Sequence, residues 1–178
     1  MNVAEARGLA RRLLAKDAPQ RWDHVKAVAA QSEQFATRVV DGDQLTAAAY
    51  LHDIGYASEL IDIGFHQIDG ARYLRSVGCD EALVNLVAHH SAAAVRAELS
   101  GLGSLYRDEF PKDESLPHRE LHFCDLAVDV DGRVVDIDHR LINLRRRHAD
   151  NPPMLRYLDL YESDMRRLVA EMASPAST

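Results

Sequence analysis

Apolar positions along this 178-residue chain recur at three- and four-residue steps almost from end to end, and no stretch alternates convincingly with the two-residue period of a strand. Val3 to Ala15 places Leu9, Leu13 and Leu14 on one face, and Pro19 breaks that helix. The spacing predicts a second helix from Gln20 to Val40, stopped at Asp41-Gly42-Asp43. A third runs from Gln44 to Ile54, started by Asp43 or Thr46 and closed by Gly55. After a looser segment, Phe65 to Val77 is helical up to Gly78, and Asp80 is placed to cap Glu81 to His90. Residues 101–117, GLGSLYRDEFPKDESLP, form the longest interruption. Helices resume over His118 to Val130, turn at Asp131-Gly132, and continue over Asp136 to His148 before Asn151-Pro152-Pro153.

The last helix carries the clearest stripe: Met154, Leu158, Tyr161, Met165, Leu168 and Met172 make one continuous apolar face. Such a face packs on its parent domain, with a dimer seam as the alternative, so a monomer or a homodimer is expected. The tail SPAST is expected to fray. Together these elements predict an all-α domain of seven to nine helices.

Composition narrows the class. Hydrophobic residues make up 47% and charged residues 28%, close to soluble globular averages, and the length suffices for one buried core. A net charge of −7 argues against binding duplex nucleic acid, which calls for a basic footprint. Two cysteines, Cys79 and Cys124, imply no disulfide framework. No secretory leader is apparent, and no apolar run reaches the ~18 residues of a membrane span. A soluble, cytoplasmic protein without membrane contact is expected.

The histidines change the picture. Of nine, His139 and His148 lie among charged residues and are expected to face solvent; His118 and His122 open the helix that follows Pro117. His24, His52, His66, His89 and His90 sit in or beside apolar helical stretches such as AAAYLHDIGY and LVNLVAHHSAAA. One buried imidazole is ordinary, but five with neighbouring carboxylates are costly unless something pairs them. A divalent metal is the usual partner, because neutral imidazole and carboxylate suit Mn, Fe, Co, Ni or Zn. In the adjacent pair His52-Asp53, the histidine would fix one metal and the carboxylate could bridge it to a second. Two-metal sites about 3.5–4 Å apart clamp the attacking and leaving oxygens of a displacement. The residues then divide into His24, His52 and Asp53 on one side, and Asp53, His66, His89 and His90 on the other. The first set lacks a carboxylate. Asp125, in LHFCDLAVDV, is apolar on both sides; Asp129 lies one turn later, is the competitor, and is disfavoured because it approaches the Asp-Gly turn.

The ordered set His24, His52-Asp53, His66, His89-His90, Asp125 resembles the HD-domain superfamily of metal-dependent phosphohydrolases, and HDIG at 52–55 is similar to its HDIG subgroup. The resemblance covers about residues 20–145; helices 3–15 and 154–172 would pack on that core, making 1–178 a single domain. It implies a compact all-α bundle in which His24, His52, Asp53 and Asp125 hold one metal and Asp53, His66, His89 and His90 the other. The cofactors implied are two divalent transition metal ions, Mn, Fe, Co or Ni foremost, with Zn and Mg compatible. Asp53, His66 and His90 would stand at the reacting centre.

The expected reaction is hydrolysis of a phosphate ester of a nucleotide or another small phosphorylated metabolite. The chain departs from the family at Tyr56, where many members carry a phosphate-holding lysine. It also lacks the acidic residue after His-His and the Gly-Tyr-Pro of members that cleave cyclic di-GMP. The middle histidines resemble those of membrane-bound members that cleave cyclic di-AMP, but this chain has no membrane helix. Substrate contacts would then come from Arg72, Arg75, Arg107, Arg140 and Tyr56. Residues 101–117 are either a lid hinged at Gly101 and Gly103 or a surface connection, and Arg145-Arg146-Arg147 reads as a solvated helix end. Two alternatives stay open. The myo-inositol oxygenase-like group uses a similar set to hold two irons, although the His89-His90 doublet favours hydrolysis. A non-catalytic nucleotide sensor would be expected to have lost ligands.

Overall fold

Helix ends fall where capping side chains put them. Asn2 and Glu5 form a reciprocal capping box at the start of α1 (Val3–Leu14). Pro19, which lacks an N–H to leave unpaired, opens α2 (Pro19–Ser32). Asp41 caps α3 (Gly42–Leu51) by accepting from the Gln44 N–H, so the cap is Asp41 rather than Asp43 or Thr46. α4 (His66–Ser76) follows a loop closed by Asp69, whose carboxylate accepts from the N–H groups of Ile63 and Gly64. Asp80 caps α5 (Glu81–His89) as predicted. Then come α6 (Ala93–Leu99), α7 (Gly103–Glu109), α8 (His118–Leu126), α9 (Ile137–Arg147, capped by Asp136) and α10 (Pro152–Ala173). These elements come from a computed structural model that describes residues 1–173; the tail 174–178, expected to fray, lies outside the described residues.

The architecture is all-α, as the periodicity requires. α3 is its axis: Leu45, Ala47, Ala48, Ala49 and Leu51 are fully buried, and α1, α2, α5 and α8 pack around it. A helix apolar on all sides belongs in a core, and the alanines let neighbours approach from every direction. A second apolar cluster joins α8, α9 and α10 through Leu126, Leu141, Leu144, Met154, Tyr157, Leu158, Met165 and Leu168. The stripe on the last helix therefore packs on α6, α8 and α9. Among the described residues no helix is long and apolar enough to cross a membrane.

Three boundaries differ from the sequence reading. The second helix ends at Ser32, followed by a 3-10 turn at Glu33–Phe35, and Val40 is fully exposed. α8 stops at Leu126, and the chain turns back through an isolated bridge between Val128 and Val134, with Gly132 at φ 76°. Residues 101–117 are not an open loop: α7 lies within them and buries Tyr106 and Phe110. With α6 counted, the described residues hold ten α-helices rather than seven to nine.

Candidate metal centre

The His-Asp pair sits where α3 runs out. His52 is the C-cap of α3, and Asp53 lies in the bridge region at φ −103°, ψ 10°, before a 3-10 turn at Ile54–Tyr56. Gly55 gives that turn its purpose. A Cβ added there would lie 2.0 Å from the carbonyl oxygen of His66, so only glycine lets the start of α4 come this close. Gly70, one turn further along α4, faces the same turn: a Cβ added there would lie 3.2 Å from the Gly55 nitrogen. The motif glycine thus places His66 beside Asp53.

Six predicted residues converge. On one side His24 Nε2 lies 3.0 Å from Asp125 Oδ1 and 3.9 Å from Asp53 Oδ2. His52 Nε2 lies 3.7 Å from Asp53 Oδ2 and 4.0 Å from Asp125 Oδ1. On the other side Asp53 Oδ1 lies 3.3 Å from His66 Nε2 and 3.6 Å from His90 Nε2, and these two nitrogens are 3.2 Å apart. The two oxygens of Asp53 therefore face different sets. All six residues are buried.

The outer ring nitrogens explain why the Nε2 atoms point inward. His24, His52 and His90 direct Nδ1 at the carbonyls of Asp129, Ala49 and Val87, at 2.8, 2.8 and 2.7 Å. A carbonyl only accepts, so each Nδ1 carries a hydrogen, and Nε2 is the atom through which each ring can offer a lone pair to the centre. Burial pushes His52 down to about 4 and His66 to about 3, favouring the neutral form. Lone pairs then face carboxylate oxygens, and His52 Nε2 is buried with no hydrogen-bond partner. That arrangement is repulsive unless positive charge enters it. His24, His52 and Asp125, and likewise His52, Asp53 and His90, bring donor atoms within 4.8 Å of one another. The donor set fits a divalent metal.

A family profile described as HD domain matches residues 21–131. The chain belongs to the HD-domain family. No curated protein and no solved structure gives a significant match.

Within this HD domain the remaining predicted residues fall into two groups. Asp125 joins the centre, whereas the Asp129 carboxylate is taken by the N–H groups of Asp131 and Arg133 and only its carbonyl supports His24. His89 does not join. Its Nε2–H donates to the Phe110 carbonyl at 3.0 Å, and its Nδ1 accepts from the Tyr106 hydroxyl at 2.7 Å. Successive helical residues point about 100° apart, so only one of the doublet can reach the centre. Arg140 and Tyr56 line the cleft over the centre, but Arg72, Arg75 and Arg107 do not. Arg72 is bound to Glu109 and Asp62, Arg75 to Glu81, and Arg107 to Glu98 on the surface.

Two arginines, Arg140 buried and Arg21 partly buried, hold the carboxylates. Arg21 Nη1 donates to Asp53 Oδ2 at 2.8 Å, and Arg140 Nη2 donates to Asp125 Oδ1 at 2.9 Å. Burial alone would raise the Asp53 carboxyl, but the Arg21 guanidinium beside it opposes this, and the carboxyl is held well below the usual range. At Asp125 the Arg140 guanidinium opposes burial in the same way. Ser91 donates to the other Asp125 oxygen, from a backbone in the left-handed region at φ 51°, followed by Ala92 at φ 50°. Two consecutive non-glycine residues there represent strain of about 1–3 kcal/mol each.

The sequence reading missed Arg21, Arg96, Arg147 and His148, which line the cleft. The arginine triplet divides: Arg145 pairs with Asp159 and Glu162, Arg146 bonds Asn143, and Arg147 turns to the cleft. His148, expected at solvent, lines the cleft too, and burial lowers it to about 4. The signal was available in helical phase, because Arg140, Leu144, Arg147 and His148 share one face of α9.

Proposed function

We propose that this protein is a metal-dependent phosphohydrolase of the HDIG kind, acting on a phosphate ester of a nucleotide or similar small metabolite. The observation that carries the reading is a cleft lined by Arg21, Arg96, Arg140 and Arg147 directly over the histidine–aspartate cluster. His24, His52, Asp53 and Asp125 would hold one divalent ion, and Asp53, His66 and His90 a second. Bound divalent ions would acidify water to a nucleophile at neutral pH and neutralise phosphoryl charge.

The chain's own groups supply the rest. Arg21 and Arg140 fix the two carboxylates. Among the described residues Arg96 and Arg147 form no ion pair, so both are available to an anionic group. Tyr56 stacks on His66 at 4.1 Å with the Arg21 guanidinium 4.0 Å over its ring. It thus keeps a cation near the position where relatives carry lysine. Leu126, Leu144, Met154 and Met165 give the cleft an apolar wall that limits water. Asp53, His66 and His90 stand closest to the proposed reacting centre.

The test is metal analysis of purified protein, then phosphate release from nucleotides, diesters and sugar phosphates with each metal restored. Turnover that requires metal is expected; no release from any substrate with any metal would refute the proposal. One observation favours a second reading. With His89 outside the centre, the second set has three protein donors, and the doublet no longer separates hydrolysis from iron-dependent oxidation. Substrate-dependent dioxygen uptake by iron-loaded protein without phosphate release would establish the oxidative reading.

A further inference from the structure

The backbone is strained at a point that touches the metal centre. Among the described residues, Ser91 at φ 51° and Ala92 at φ 50° are the two residues other than glycine with positive φ. An L side chain is disfavoured in that region, whereas glycine adopts it freely. At its four other left-handed positions the chain uses glycine: Gly64, Gly78, Gly101 and Gly132. At position 91 it keeps a side chain where glycine would relax the turn, so that side chain has a use that outweighs the strain.

The use is visible at Asp125. Its Oδ1 faces the centre, 3.0 Å from His24 Nε2 and 4.0 Å from His52 Nε2, and accepts from Arg140 at 2.9 Å. Its Oδ2 points away, and among the described residues the Ser91 hydroxyl is its one hydrogen-bond donor. The last torsion of an aspartate is broad and roughly two-fold, so the two oxygens exchange places easily unless a partner tells them apart. The turn puts that partner within reach. In a continuing helix Ser91 would point about 100° away from His90. Instead His90 is extended, at ψ 153°, and the left-handed step follows it, so that both residues line the cleft. One turn thereby brings His90 to Asp53 in one donor set and Ser91 to the carboxylate of the other.

We propose that Ser91 is a positioning residue for the metal held through Asp125. Its hydroxyl fixes Oδ2, so that Oδ1 stays turned toward His24 and His52, and the strained backbone is the conformation that lets it do so. The proposal rests on the metal-centre reading and is independent of the reaction the centre performs. Hydrogen bonds that orient a ligating carboxylate are worth roughly 10–100-fold in metal affinity.

The test separates metal affinity from stability. Metal-free protein is titrated with cobalt(II), followed by calorimetry and by the visible absorption of the bound ion, and each variant is melted without metal. The ion held through Asp125 is identified by its loss in Asp125→Asn. Ser91→Ala and Ser91→Gly should both weaken that ion roughly 10–100-fold and alter its absorption. Ser91→Gly should nevertheless melt about 2–8 °C above Ser91→Ala, because it relieves the left-handed strain. Ala92→Gly should gain a similar margin over the native chain and bind cobalt unchanged. In the Asp125→Asn background, Ser91→Ala should leave the remaining ion's affinity as it was. Native cobalt affinity and absorption in Ser91→Gly would overturn the proposal, because the residue would then serve only the turn. A further loss of the remaining ion in the double variant would overturn it too, by showing that Ser91 acts through His90. In both cases the metal centre would stand; a native protein that takes up no cobalt would refute the centre itself.

Discussion

Gly55→Ala tests the link between the HDIG glycine and the metal centre. An added Cβ would lie 2.0 Å from the His66 carbonyl oxygen, 2.7 Å from its carbon and 2.8 Å from its Cα. Contacts below 3.0 Å are essentially never seen for a real Cβ, so the start of α4 must retreat by about 1 Å. All three atoms are backbone and cannot rotate aside. Overpacking of this kind costs about 1–3 kcal/mol. At about 2–4 °C per kcal/mol for a chain of this size, melting should fall by about 2–12 °C. The same retreat carries His66 Nε2 away from Asp53 Oδ1, now 3.3 Å distant, whereas metal–ligand distances tolerate only about 0.2 Å. His24, His52 and Asp125 sit on other elements and stay. Gly55→Ala should therefore lose the ion held through His66 and keep the other, read by elemental analysis beside a thermal melt. Gly8→Ala is the control: nothing lies within 4 Å of its Cβ, and an alanine in mid-helix should be neutral or slightly stabilising. Full metal content and an unchanged melt in Gly55→Ala would refute the reasoning.

The histidine doublet should come apart under mutation. His90→Ala should lower bound metal, while His89→Ala should leave metal content intact and cost about 1–3 kcal/mol through the unpaired Phe110 carbonyl; equal metal loss in both would reverse the assignment. Acid should unfold the metal-free protein in two stages. Burial holds His122 and His148 near 4, below the ordinary value of about 6.5, so between those limits the unfolded chain binds more protons than the folded one. Their contribution to stability is complete above about pH 6.5 and is lost as pH falls toward 4. Asp53 and Asp125, held below the carboxylate range, follow at lower pH. Chemical denaturation in steps from pH 7.5 to 3.5 should show stability falling before any carboxylate titrates; a flat profile down to pH 4.5 would contradict it.

How much was legible in sequence depended on how far each residue's role is local. The apolar face of α10 and the cap of α5 at Asp80 follow from spacing alone. α7 did not, because seven residues between glycines and prolines give too short a period, and its burial rests on Tyr106 and Phe110 meeting α5. The second helix was read too long because Val39 and Val40 continue an apolar run that the fold leaves in a turn. The ligand types were legible at His24, His52, Asp53, His66, His90 and Asp125, since each is a polar residue in an apolar setting. Inclusion of His89 overlooked the angle between adjacent helical residues. Arg21 was missed because an arginine's partner is set by tertiary packing, whereas Arg147 was legible in the helical phase it shares with Arg140 and Leu144, a phase Arg146 does not share.

The ion pairs at the centre bear on how the protein is made. Arg21 meets Asp53 and Arg140 meets Asp125, one cation for each buried anion. An uncompensated pair of buried carboxylates would oppose folding until metal arrived, as in small domains that are unfolded without their ion. Here the chain carries its own counter-charges, so the buried carboxylates do not require a metal for folding. On the proposed reading an incoming cation would take over electrostatic work that Arg21 and Arg140 already do, and both guanidinium groups line the cleft where a phosphate would meet them.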